Sequence, residues 1–262
     1  MFTKAITRLP GINYQNGLTT VDFGIPDYQK TILEHANYLA ALKRCGLSLV
    51  ELPVDLNFPD STFVEDTAIL LSGSLPCGPG AILTRPGAES RTGEILEMRK
   101  VLNQYFPALA EITSPGCLDG GDICEAGNHF FIGISYRTNE YGAKQLADWL
   151  GEKGFSSSFL DIRNTPGILH LKSGISYLGD NRLAIIDSLV GHATFDGFEI
   201  VRVEPGEEYA ANCIRVNDYV LIAAGFSKFE AALRSLGYKL IVLEMSEFQK
   251  MDGGLSCLSL RF

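Results

Sequence analysis

Histidine is scarce in this chain, with four among 262 residues, at positions 35, 129, 170 and 192. Basic side chains are also in deficit: 22 Lys and Arg face 31 Asp and Glu, a formal net charge of −9. That balance argues against nucleic acid or an anionic membrane as partner and suits a cationic ligand. Long apolar runs are missing. The longest uncharged stretch, 67–84, holds three Gly and two Pro and is no membrane helix. Met1 to Thr7 lack the apolar segment of a secretory signal, and no Asn-X-Ser/Thr acceptor occurs. The six cysteines (45, 77, 117, 124, 213 and 257) form no CxxC pair and no zinc-like spacing. Reduced thiols and a cytoplasmic setting are therefore expected, with no metal and no cofactor. The remaining composition, 46% hydrophobic and 20% charged, is that of a globular protein with ample length for a core.

One thiol stands apart. Cys257 lies six residues from the end, after Gly253-Gly254 and within an apolar tail that reads as a last strand. Termini usually fray, so an anchored thiol here points to a nucleophile. The glycines would let the chain bend and a ligand approach closely. A nucleophilic Cys257 needs a base and a carboxylate from elsewhere in the sequence.

The chain repeats a plan. An amphipathic helix, a Gly near its end and an apolar strand recur over 38–53, 145–162 and 230–244, and a fourth helix is expected over 88–105. Two-stranded patterns broken by turn residues lie between them, for example over 174–187 and 212–224. First strands begin near residues 63, 120, 170, 212 and 255, and the last could pair with 4–9 to close a ring. Two adjacent strands ahead of each helix favour a ring of ββαβ units over a doubly wound parallel sheet. Asp66, Asp119, His170 and Cys257 all fall near a unit's first strand. Equivalent positions in such a ring face one central axis, so these four would converge.

Each candidate has a bland counterpart. A lone His such as His170 is commonly a satisfied core imidazole; its repeat position opposite Cys257 tips it towards catalysis. His35, on the first helix, and His129, in a turn, read as solvated, and His192 is held in reserve. Asp119-Gly120-Gly121-Asp122 makes an ordinary self-bonded turn, or its glycines let a carboxylate reach a ligand or an imidazole. Of the adjacent acids Glu65 and Asp66, at least one must face inward and needs a partner. That partner is a cationic ligand, or else Arg85 or Arg137.

With FVEDTAIL (63–70), LTRPG (83–87), LDGGDI (118–123), LHLKS (169–173) and GGLSCLS (253–259) in order along nearly the whole length, the chain resembles the dimethylarginine dimethylaminohydrolases. These are penteins, the superfamily of guanidine-modifying enzymes. The resemblance implies an α/β fold, a five-bladed pseudo-symmetric ββαβ propeller with the active site at its axis, here as a single catalytic domain over 1–262. It implies Cys257 as nucleophile, His170 as general acid and base, and Asp119 as the carboxylate orienting His170. It places the substrate guanidinium on Asp66, with Glu65 beside it. It assigns the substrate amino group to Asp60 and the backbone of Leu18 and Met251, and the α-carboxylate to Arg85 and Arg137. Asp252 is expected near the reacting group, and the segment around Leu18 matches the family's mobile lid.

The expected reaction is hydrolysis of an Nω-methylated arginine to citrulline and a methylamine, by a hydrolase of linear amidines, through a covalent thiouronium on Cys257. The partner is a small cationic amino acid; a homodimer is compatible with the reading. The nearest rival is another guanidine hydrolase, an arginine deiminase-like enzyme or an amidinotransferase. A silent binding propeller is the rival of another class, and intact Cys257, His170 and Asp119 speak against it.

Overall fold

The second strand of each unit is almost wholly buried and apolar, which places it in the middle of a sheet covered on both faces. These strands are β1 (Lys4–Arg8), β4 (Gly80–Leu83), β7 (His129–Ile134), β10 (Arg182–Ile186) and β13 (Tyr219–Ala223). The computed structural model describes residues 1–71 and 79–262; Cys77 and part of the uncharged stretch 67–84 lie outside them. Within the described residues, each central strand carries an antiparallel inner strand and a parallel outer one, giving five three-stranded sheets.

The inner strands are β3 (Ala68–Leu71), β6 (Ile123–Ala126), β9 (Ile175–Gly179), β12 (Ile214–Val216) and β15 (Leu260–Arg261). The outer strands are β2 (Ser48–Leu52), β5 (Leu109–Glu111), β8 (Ser156–Asp161), β11 (Glu199–Val203) and β14 (Lys239–Leu243). The ring closes as expected: β15 pairs antiparallel with β1, Ala5 opposite Arg261 and Ile6 opposite Leu260. The chain terminus is thus the inner strand of the first blade, which anchors the segment carrying Cys257.

Helices cross over to the parallel outer strands in four blades: α1 (Tyr28–Arg44), α2 (Ile95–Leu102), α3 (Glu140–Glu152) and α4 (Ser227–Ser235). Asp27 caps α1 by accepting from the Lys30 amide, and Asn139 caps α3 by accepting from that of Gly142. One blade departs from the common plan, and one expected helix is shorter than its sequence pattern. The fourth blade crosses over through two 3-10 turns, Asp187–Leu189 and Ala193–Phe195, where the sequence has Gly191 and Gly197 and no helical period. The helix expected over 88–105 begins only at Ile95, because Glu89–Arg91 forms a separate turn. That turn delivers Arg91 to the interior.

A 3-10 turn precedes every inner strand: Val64–Thr67, Gly120–Asp122, Leu171–Ser173, Glu208–Ala211 and Ser256–Leu258. Four of these turns carry or adjoin the residues singled out from the sequence. Apolar clusters fill the wedges between blades, as where Phe131, Leu183, Val203 and Val220 meet. Full burial of one such side chain stabilises the fold by about 1.5–3 kcal/mol, so the turns sit on a rigid frame.

Candidate active site

The turns bring one wall of side chains to a small pocket of about 30 Å³, lined by Asp66, His170, Cys257, Asp60, Arg137 and the 251–253 segment among others. Consecutive residues in a tight turn point apart. In Val64–Thr67, Asp66 lines the pocket while Glu65 turns to its far side, where it accepts from Lys172 Nζ at 2.5 Å and from Ser256 Oγ at 2.7 Å. Cys257 and Ser256 divide in the same way.

His170 immediately precedes its turn, and its Nε2 lies 3.0 Å from Asp119 Oδ2. The other Asp119 oxygen accepts from the Gly87 amide at 2.8 Å, and the Asp119 amide donates to Thr138 Oγ1. Asp122 lies beneath the pair. It accepts from Ser135, from Thr138 Oγ1 at 2.6 Å and from the Leu171 amide at 3.0 Å. It therefore holds the neighbours of both Asp119 and His170. The glycines between these acids are required by space: a Cβ on Gly121 would stand 2.8 Å from the His170 ring. The Gly253-Gly254 pair answers to the same demand, since added carbons would meet the Phe63 ring and the Asn212 amide at 2.4 and 2.5 Å. The left-handed backbone falls instead on Asp252, at φ 55°.

The electrostatics set the protonation states. Burial works against a charged His170, but Asp66, Asp122 and Asp119 outweigh it and push the imidazole up to about 9. Burial also disfavours the Asp66 carboxylate, yet His170 and Arg91 hold it down at about 2. For Cys257, burial, then Glu65 and Asp66, push the thiol up to about 12. The resting site therefore carries an imidazolium and a protonated thiol.

No protein-family model matches the chain. Over 263 residues and the full length of both proteins it is 41% identical to N(G),N(G)-dimethylarginine dimethylaminohydrolase of Pseudomonas aeruginosa. The chain belongs to the dimethylarginine dimethylaminohydrolase family. Two solved structures, the P. aeruginosa member as a Cys-to-Ser variant with citrulline and a dimethylarginine dimethylaminohydrolase His-to-Gly variant as an adduct with S-methyl-L-thiocitrulline, superpose with TM-score 0.94 at 40% identity over both full chains. The N-terminal domain of ArgZ, a cyanobacterial arginine dihydrolase, shares the fold at TM-score 0.84 and 18% identity, covering 100% of this chain and 97% of its own. The fold is the five-bladed pentein propeller that the resemblance implied, in agreement with the repeat.

Two of the expected substrate-binding positions do not line the pocket. Glu65 stands next to Asp66 as expected, but its carboxylate faces away from the pocket, for the reason given. Arg85 does not line it either: its Nη1 donates to the Gly116 carbonyl at 3.2 Å and lies 3.0 Å from the Cys117 sulfur. Arg137 does line it, and among the described residues its guanidinium makes no hydrogen bond. The buried partner of Asp66 is neither of these but Arg91, at 2.6 Å, a residue the sequence reading missed. Arg91 also holds Glu94 through Nε and Nη2 and the Phe63 and Asp60 carbonyls through Nη2. The only signal was the Arg-x-x-Glu spacing of 91 and 94.

Leu18 donates its amide to both Asp60 oxygens, at 3.0 and 3.2 Å, and Met251 is buried against the same space. Asp252 spends a carboxylate oxygen on the Thr20 amide, and Thr19 Oγ1 donates to the Lys250 carbonyl at 3.0 Å. The loop after Asn16 is thus fastened across the pocket. His192 is exposed and outside it. His35 is buried, not solvated, and His129 is half-buried against Ser156 and Ser158.

Asp66, Asp119 and His170 offer ligand atoms within 4.8 Å of one another, close enough to hold a cation. The Asp66 and Asp119 oxygens are already engaged by Arg91, by the Gly121 and Gly87 amides and by His170 Nε2. Among the described residues no helix is long and apolar enough to cross a membrane.

Proposed function

We propose that this protein hydrolyses an Nω-methylated arginine to citrulline and methylamine or dimethylamine, as one catalytic domain over 1–262. The observation that carries the reading is the meeting of Cys257, His170 and Asp66 in one pocket, with Asp119 behind His170, in a chain 41% identical to a dimethylarginine dimethylaminohydrolase.

A guanidinium carbon is electrophilic only while its charge is kept, and Asp66 is the carboxylate placed to hold that charge. The acids that raise the thiol in the empty site are offset when a cation arrives, so substrate binding favours the thiolate, whose proton passes to solvent. The Cys257 sulfur adds to the carbon. His170, already protonated, gives its proton to the departing amine as the C–N bond breaks, leaving a thiouronium. Neutral His170 then takes a proton from water as the oxygen adds to the same carbon. The C–S bond breaks, the thiolate leaves and citrulline forms.

Asp60 with the Leu18 and Met251 backbone suits an α-ammonium, and Arg137 suits the α-carboxylate. The pocket's small volume admits such a molecule only once the loop carrying Leu18 to Thr20 swings out. A citrulline assay across arginine, monomethylarginine, asymmetric dimethylarginine and agmatine tests the reading. Turnover of either methylated substrate well above arginine and agmatine is expected. Release of citrulline from arginine alone would make the chain a deiminase.

A further inference from the structure

Behind the catalytic residues lies a second and larger cavity, of about 420 Å³, lined by the inner strands of all five blades. The wall between the two spaces is the Glu65–Lys172–Ser256 cluster. The size suits a small organic molecule, and side chains of both charges line it. Lys172 is committed to Glu65 at 2.5 Å, whereas Arg261 reaches Glu65 only at 3.8 Å and otherwise bonds Ser259. Glu125, the one exposed residue of β6, faces the open space of the cavity, and among the described residues its carboxylate has neither ion pair nor hydrogen bond.

The charged groups facing the cavity end are Glu65 and Glu125 against Lys172 and Arg261, while Arg215 nearer the rim is paired with Asp180. A simple anion would meet two carboxylates there and a simple cation two bases. A ligand carrying both charges gains from each, and Ile69, Ile175 and Phe130 offer apolar wall to the methylenes between them. We propose that this cavity binds a small amino-acid zwitterion, its carboxylate on Arg261 and its ammonium on Glu125. Ser256 and Glu65 directly precede Cys257 and Asp66, so the occupant sits against the back of the catalytic wall.

Calorimetric titration with glycine, 4-aminobutyrate and 6-aminohexanoate, which differ in charge separation, tests the site. At least one should bind at millimolar concentration, and Glu125→Gln and Arg261→Met should each weaken it about tenfold, or about 1.4 kcal/mol. Asp60→Asn, in the catalytic pocket, should bind the same probe as wild type does. Butylamine and butyrate, each lacking one charge, should bind about tenfold more weakly. Far-ultraviolet circular dichroism checks that the variants are folded, and Glu125→Gln, at a cavity-facing site, carries the test if Arg261→Met is not. Absence of binding by all three probes overturns the proposal, as does undiminished binding to Glu125→Gln. Loss in Asp60→Asn would place the ligand in the catalytic pocket and overturn it equally.

Discussion

At the scale of single residues, the site is a balance of buried charges in which the thiol is the neutral member. Its ordinary value of about 8.5 is pushed up to about 12 by burial and by Glu65 and Asp66. Ultraviolet titration near 240 nm should therefore show no Cys257 thiolate at neutral pH in the free protein, judged against Cys257→Ser, and a signal only in alkali. A non-reacting guanidinium-like cation should bring thiolate absorbance out at neutral pH. Absorbance already present without ligand and lost only in acid would mean a standing Cys–His ion pair and would end substrate-assisted activation. Arg91 makes a second case. It is the counter-charge of two buried acids, so Arg91→Met leaves Asp66 and Glu94 uncompensated. Breaking a buried pair from one side typically costs about 3–5 kcal/mol. The expected result is a large fall in urea midpoint together with a raised KM; a midpoint unchanged from wild type would show that Arg91 is dispensable to the fold.

At the scale of elements, the inner-strand turns were legible in the sequence and the partners of their side chains were not. Glycine pairs, adjacent acids and apolar strands recur along the chain, so the turns near 66, 119, 170 and 257 stood out. Which of two neighbouring residues faces the ligand was not legible, because Glu65 and Asp66 are adjacent acids about a third of a 3-10 turn apart. Arg85 and Arg91 were equally eligible partners by type, and the choice lies in a long-range contact that no local spacing encodes. His35 read as solvated because it lies on an amphipathic helix with polar neighbours, yet it packs against Phe248 across the blade. The loop after Asn16 is tied down by only a few polar contacts, which gives it a testable weakness. Thr19→Val removes the bond to the Lys250 carbonyl, and one such bond contributes about 0.5–1.5 kcal/mol. Faster product release and a modestly raised KM are expected in stopped-flow measurements, with the chemical step untouched. Unaltered association and dissociation rates would show that Thr19 does not restrain the loop.

At the scale of the whole molecule, five blades hold two histidines whose charges the fold treats in opposite ways. His35 is buried with no hydrogen bond to either ring nitrogen. Burial lowers it to about 4, opposed only weakly by the nearby Arg8 backbone. His170 is raised to about 9 by its three acids despite burial. Between pH 6.5 and 4 the unfolded chain takes up the His35 proton before the folded one does, so stability falls as pH falls. Between pH 6.5 and 9 the folded chain keeps the His170 proton longer than the unfolded one, so stability falls as pH rises. The shift at His35 corresponds to a contribution on the order of 3 kcal/mol across its window. His35→Leu fills the same space with no group to protonate, so it should be as stable as wild type at pH 7 and lose less stability on acidification. Urea unfolding of both proteins at pH 7, 5.5 and 4.5 measures the difference. Parallel loss in the two would show that acid sensitivity resides in the carboxylate network around Asp66 and Asp119, not in the helix that packs the first blade.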